Sequence, residues 1–455
     1  MNLHDPLDAH GSLSDDPIHQ LGQPLCPGHS SSFHVDDASF SSVLLRTYTQ
    51  PPRRRPSPGP PRAASAGRRV VVMMACAHRA RVGLVVSLIQ AEQLLLNDGR
   101  LVPGWVRIRA NAVVEVGQGP APAHADLHVP LLSPGFVDMH CHGGGGAAFG
   151  SPDADDVSVA ASVHLLHGTT TVIASLVTAA EEDLHQQVTR LAGLAARGVV
   201  AGIHLEGPWL SPLHAGAHDP GHLRTPDPGE IAALVRAADG HLRMVTLAPE
   251  LDGGTDAVVQ LARAGVAVAV GHTDADGPQL RAAVDSGASV VTHLCNAMRP
   301  IHHRDPGPVV EALADPRLTV EVIVDDLHVH PDVVNLVQRS ARSQVALVTD
   351  AMAAAGAGDG SYTLGGLAVE VRHGAARLVE GGSIAGSTLT MDRAVRTAVR
   401  AGWTTAAALT AATRTPARAL GLSAGTIQAG RPADLVALDE GLNVLFVMRG
   451  GDFLS

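Results

Sequence analysis

Five short apolar runs end in side chains that bind cations or carry protons. GFVDMHCH carries His140 and His142, VAGIHLEG carries Glu206, VAVAVGHT carries His272, SVVTHLCN carries His293, and QVALVTDA carries Asp350. Any one of these histidines alone reads as a hydrogen-bonded core or surface residue. Imidazoles and a carboxylate repeated at the ends of successive runs instead suit Zn²⁺, with Fe²⁺, Mn²⁺ or Co²⁺ also compatible. His140 and His142 are two apart, so on a strand they share one face. A divalent ion lowers the pKa of its water to about 7. Asp350, the one polar group closing the last run, is placed to take the water proton and return it to a leaving nitrogen. Its other reading is a helix N-cap. The chemistry expected is metal-dependent amide hydrolysis. All 33 basic residues are arginine, so no carbamylated lysine can bridge two ions; a bridging carboxylate would have to be Glu206.

The elements that must position these groups follow from the texture of the chain. Besides the five runs above, TTTVIAS, RMVTLAPE and TVEVIVDD alternate with Ala- and Leu-rich helical stretches. One such stretch opens Asp227-Pro228-Gly229-Glu230 and continues with Ile231, Leu234, Val235 and Ala238, an N-cap followed by an apolar stripe. Eight strands separated by helices predict a (β/α)₈, TIM-like barrel over 133–357, whose strand C-termini converge on one mouth. A doubly wound nucleotide-binding sheet is the rival, but GGGG at 143–146 lacks the GxGxxG spacing. Short β-type runs with turn signals flank the barrel. They predict one small β-sandwich domain formed from 83–132 and 358–455, on both sides of it. Residues 1–82, including QPPRRRPSPGPPRAASAGRR, read as a disordered N-terminal extension.

Composition narrows the function classes. The chain is 45% hydrophobic, ample for a core, and its net charge of −11 does not favour nucleic acid or an acidic membrane. No run reaches the roughly 18 apolar residues of a membrane span. Cys26, Cys76, Cys141 and Cys295 are too few and scattered for a disulfide framework, which fits a reducing cytoplasm. Cys141 has two readings: a small core residue, or an oxidation-sensitive thiol on a mobile loop over the site.

HLEGPW, GHTDAD, THLCNAM, VTDAM and GGSIAGSTLTMDRA, in this order, resemble the N-acetylglucosamine-6-phosphate deacetylases of the amidohydrolase superfamily. PGFVDMHCHG and TPARALGL…GRPADLVALD add to the likeness, over roughly 85–450. The resemblance implies hydrolysis of the acetamido group of a phosphorylated amino sugar, by a homodimer holding one or two ions per subunit. It makes Glu206, His272 and His293 metal ligands, His140 and His142 ligands of a second ion, and Asp350 the acid/base. It places His218 against the substrate carbonyl, and Asn296 and Ala297 around the sugar phosphate. Arg304 and His328 become phosphate contacts given across a dimer interface. Relatives carry a Lys before GAH where this chain has LHAGAH, with His214 as a partial replacement. Alternatives within the superfamily are an N-acetylgalactosamine-6-phosphate deacetylase or a cyclic-amide or nucleobase hydrolase; outside catalysis, an inactive scaffold.

Overall fold

The computed structural model describes residues 87–454; the expected disordered extension lies outside them. All eight apolar runs become parallel strands of one sheet, in chain order: Phe136–Cys141, Thr169–Val177, Gly202–Glu206, Leu242–Leu247, Ala267–Val270, Ala288–Val291, Thr319–Ile323 and Gln344–Val348. Nearly all their β-branched residues are buried, on both faces, as a barrel under helices requires. Several helices start where a side chain satisfies one of their first N–H groups. Asp227 accepts from Glu230 N at 2.8 Å and caps helix Pro228–Ala237, which buries Ile231 and Leu234. Asp276 and Gln279 form a reciprocal capping box at helix Gly277–Asp285.

The first and last barrel strands meet mainly at the mouth. Asp350 N donates to His140 O at 2.9 Å and His142 N to Ala351 O at 2.7 Å. Beneath them Thr349 Oγ1 donates to Asp138 Oδ2 at 2.5 Å. At the other end Val137 N turns away to Ala412 O. Side chains therefore tie the seam where backbone pairing is sparse.

A seven-stranded sheet joins the two flanks. Leu435–Leu438 pairs antiparallel with Leu127–Pro134, which pairs in parallel with Leu88–Leu95. The sheet runs on through Leu101–Arg109 and Ala112–Gln118 on one side and Val444–Arg449 and Asp452–Leu454 on the other. The span 358–455 expected for this domain is too wide. Gly360–Leu364, Leu367–Arg372 and Ala375–Leu378 form their own three-stranded sheet, whose apolar face packs with Met352, Ala353, Ala354 and Val177. Two tight turns, Gly365-Gly366 and His373-Gly374, all at positive φ, close those hairpins locally and leave no strand for the larger sheet. Helices Met391–Arg400, Thr405–Ala411 and Arg414–Ala419 pack on the barrel strands.

Candidate active site

His140, His142, Glu206, His218, His272, His293 and Asp350 all meet at the barrel mouth, and all are buried. The backbone turns out of the barrel at three of them: φ is +48° at His272, +26° at His293 and +47° at Asp350. Such left-handed residues cost on the order of 1–3 kcal/mol each and persist where the surroundings over-determine them.

Glu206 stands at the centre, with one oxygen for each half of the cluster. Its Oε1 lies 3.1 Å from His272 Nε2 and 3.0 Å from His293 Nε2. Its Oε2 lies 3.2 Å from His142 Nε2, 3.3 Å from His218 Nε2 and 3.6 Å from His140 Nε2. Asp350 Oδ1 closes the second half, 3.2 Å from His142 Nε2 and 3.5 Å from His140 Nε2. Glu206 thus offers one oxygen to each of two groups of imidazoles.

The donor set tests whether a cation fits. His272 Nδ1 donates to the His214 carbonyl at 2.8 Å. His140 Nδ1 donates to Glu321 Oε2 at 3.0 Å. A neutral imidazole has one N–H, so both rings spend theirs at the rear and aim bare Nε2 lone pairs at the mouth. There they face carboxylate oxygens and other imidazole nitrogens: His272 Nε2 lies 3.1 Å from His293 Nε2, and His140 Nε2 3.1 Å from His142 Nε2. Acceptors that converge on acceptors need a positive charge between them. Without one the cluster must draw protons instead. Burial opposes charge on His142, yet Asp350 and Glu206 push its imidazole up to about 9. Burial likewise opposes ionisation of Glu206, but the imidazoles, His140 first, hold it well below the usual carboxylate range. The residues fit a divalent cation.

His218 behaves differently. Its Nδ1 faces Thr178, 3.3 Å from the N–H and 2.9 Å from Oγ1, and its Nε2 faces Glu206 Oε2 at 3.3 Å; the carboxylate acceptor there favours the tautomer with its proton on Nε2. Burial is the main cause that lowers this imidazole to about 4, so it is neutral at pH 7. It is a hydrogen-bond donor aimed at whatever lies beside Glu206.

The remaining expected residues are scattered. Asn296 Nδ2 donates to the His293 carbonyl at 3.1 Å, and Ala297, at φ +47°, accepts from Thr273 N. His328 is held by Asp325 at 2.8 Å with its side chain 7% exposed. It precedes the cap of helix Pro331–Ser340, which is His330. Arg304 does not join the cluster; it stands on the exposed loop 301–306 with its guanidinium against His303. His214 pairs with Asp274 at 3.1 Å and contributes its carbonyl, not its ring, to the mouth.

Cys141 is no loop residue. It ends the first barrel strand, fully buried against His164, and burial pushes its thiol well above the ordinary value. A thiol so held is inert. Asp138, Cys141 and His164 are close enough to suggest a second cation cage. His164 Nε2, however, spends its N–H on Gly143 O at 2.9 Å, and Asp138 is engaged by Thr349.

Three buried polar residues went unread in the sequence as parts of the site. Asp138 alternates with His140 and His142 along one strand, a period-2 signal that was there to find. Burial pushes its carboxyl up to about 7 while Thr349 holds it. Glu321 is the one charged residue inside strand Thr319–Ile323 and is fully buried. His204 lies beneath Glu206, between Ser175 Oγ at 2.9 Å and Thr246 Oγ1 at 2.8 Å.

Residues 131–454 match the Amidohydrolase family. The chain belongs to that family. This amidohydrolase is 37% identical over 379 residues to the N-acetylgalactosamine-6-phosphate deacetylase of Escherichia coli O157:H7, a match covering 82% of this chain and all of that protein. It is 38% identical over 344 residues to the N-acetylglucosamine-6-phosphate deacetylase of Danio rerio, covering 72% and 85%. Among solved structures it resembles a variant N-acetyl-D-glucosamine-6-phosphate deacetylase of Mycobacterium smegmatis, in complex with N-acetyl-D-glucosamine-6-phosphate. The TM-score is 0.79 with 48% identity, covering 81% of this chain and 98% of that one.

Proposed function

We propose that this amidohydrolase removes the acetyl group of N-acetylglucosamine 6-phosphate, giving glucosamine 6-phosphate and acetate. The observation that carries this is the pairing of the Glu206-centred cluster with Asp350 in a chain 48% identical to a deacetylase variant solved in complex with that sugar phosphate. His140, His142, Glu206, His272 and His293 would hold one or two ions, Zn²⁺ being the first choice for imidazole and carboxylate and Fe²⁺, Mn²⁺ or Co²⁺ suiting the same donors. A bound divalent ion supplies Lewis acidity and makes water nucleophilic at neutral pH.

The chain's own groups do the rest. His218 directs its Nε2–H at the acetyl oxygen and offsets the charge that develops there as the tetrahedral centre forms. Asp350 takes the proton of the attacking water. Burial opposes its ionisation, but His140 and His142 hold the carboxyl well below the usual range, so it starts as a base. It then passes the proton to the departing nitrogen as the C–N bond breaks. Asn296 and the Ala297 backbone cradle the sugar phosphate, with His328 and Arg304 as its charged contacts.

Arg304 acts across a homodimer interface in this reading. Ile301 on the same loop is exposed, as are Val310, Leu327 and Leu336, apolar side chains of the kind a partner covers. No described helix is long and apolar enough to cross a membrane; unpaired Cys141 and Cys295 and a phosphorylated substrate support a cytoplasmic location. The full-length match to a galactosamine-type deacetylase favours a second reading in which the 4-epimer is the substrate. Acetate release from both 6-phosphates is the test, after chelation and reloading with Zn²⁺, Fe²⁺ or Mn²⁺. Faster turnover of the gluco epimer is expected. Faster turnover of the galacto epimer selects the second reading, and no acetate from either ends both.

A further inference from the structure

We infer that Glu321 is the positioning residue that makes His140 a cation ligand and ties the two halves of the cluster together. The inference rests on the metal reading above. Glu321 Oε2 touches both halves: it accepts from His140 Nδ1 at 3.0 Å and from the main-chain N–H of His293 at 3.2 Å. The Glu321 carbonyl accepts from Leu294 N at 2.8 Å, so strand Thr319–Ile323 grips the His293 turn from two sides. The carboxylate is fully buried, and among the described residues its ion-pair partner is the His140 imidazole. A buried carboxylate is expensive unless it is paired, and here both of its contacts lead to the cluster.

The physical consequence is tautomeric. Two positions are open to the His140 proton. With Glu321 behind the ring it sits on Nδ1, and Nε2 presents a lone pair to the mouth. With no acceptor behind, the proton moves to Nε2, where Glu206 Oε2 at 3.6 Å and Asp350 Oδ1 at 3.5 Å would welcome it. An Nε2–H in that place blocks the ring from any cation. A carboxylate behind a ligating imidazole also raises its basicity and fixes its plane. The same oxygen holds the His293 backbone, whose φ of +26° is a conformation that needs external support. Its second oxygen, Oε1, makes no hydrogen bond, so the whole polar task of the side chain falls on the oxygen facing His140 and His293.

The test uses the full chain, stripped and reloaded with Zn²⁺, with affinities read by competition against a chromogenic chelator. Glu321→Leu removes the acceptor at little loss of volume and is expected to fold. It should weaken at least one ion by about 10–100-fold, the range for losing such a partner. In a His140→Ala background the same change should cost clearly less, because one of the two contacts through which Glu321 acts is gone. Cobalt loading gives a second readout: the visible ligand-field bands of wild type should change in Glu321→Leu and return in Glu321→Gln, whose amide oxygen restores the acceptor. Equal affinities in wild type and Glu321→Leu overturn the inference. So does full additivity with His140→Ala, which would show that the carboxylate does not act through that ring. A wild-type chain that binds no Zn²⁺ above background overturns the metal reading itself, and this inference with it.

Discussion

Asp350 Oδ1 lies 3.2 Å from His142 Nε2, across the seam where the last barrel strand meets the first. One residue thus faces the proposed cation position and the proposed reaction path at once. Asp350→Asn keeps the shape but removes the base, and should lower kcat by about 10²–10⁴-fold with bound metal unchanged. Rate and metal content measured on the same preparation separate the two roles. A parallel loss of metal would make Asp350 chiefly a ligand.

Chelation should lower the melting temperature. A ligand at about 1,000 times its Kd stabilises the folded state by about 4 kcal/mol, and the converging lone pairs of Glu206, His272 and His140 gain most from it. Calorimetry before and after re-addition of Zn²⁺ reads the effect, and a melting point indifferent to the ion would contradict the proposed cage.

Gly216 sits at φ +61°, and a Cβ there would come 2.9 Å from His272 Cε1. Gly216→Ala should therefore rotate the His272 ring, not merely strain the loop. We expect a loss of about 1–3 kcal/mol in stability together with weaker metal binding. Normal metal affinity in a destabilised variant would restrict the effect to the backbone.

Arg304→Ala should raise KM about tenfold or more for the phosphorylated sugar, the loss of a charge-assisted contact, and change little for N-acetylglucosamine itself. Steady-state kinetics on the pair decide it; equal effects on both sugars remove Arg304 from the phosphate.

Asp392 opens helix Met391–Arg400 and pairs with His167 at 3.2 Å and Arg396 at 2.9 Å. Burial opposes its ionisation, but these partners hold the carboxyl well below the usual range. A depressed folded pKa stabilises above the unfolded value, near 3.9, and that contribution fades as pH falls through the folded one. Asp392→Asn should cost about 1–2 kcal/mol at neutral pH, after allowing for its half-exposed partners. The gap to wild type should narrow at pH 3 in urea titrations; a gap that widens there would reverse the assignment.

The barrel was legible because all eight strands are apolar runs that stop at a polar residue, and the mouth because Glu206, His272, His293 and Asp350 are those stops. What stayed hidden lies one layer deeper or one pairing away. Glu321 stands in mid-strand, where a carboxylate looks like a solvent-facing residue until its neighbours His140 and His293 are brought from elsewhere. Asp138 continues the alternation of His140 and His142, but its partner Thr349 lies far along the chain. The β texture of 360–378 announced strands but not their partners, since pairing is decided by turns such as Gly365-Gly366. Cys141 was ambiguous because strand ends and loops look alike in sequence.

The seam also bears on how the protein is made. Every proposed metal ligand lies at or before His293, whereas Asp350 and its neighbour Thr349 emerge from the ribosome later. Glu321, which holds both His140 and His293, also lies beyond His293 in the chain. The cage therefore waits for the seventh strand, and the threonine-to-aspartate closure across the barrel waits for the eighth.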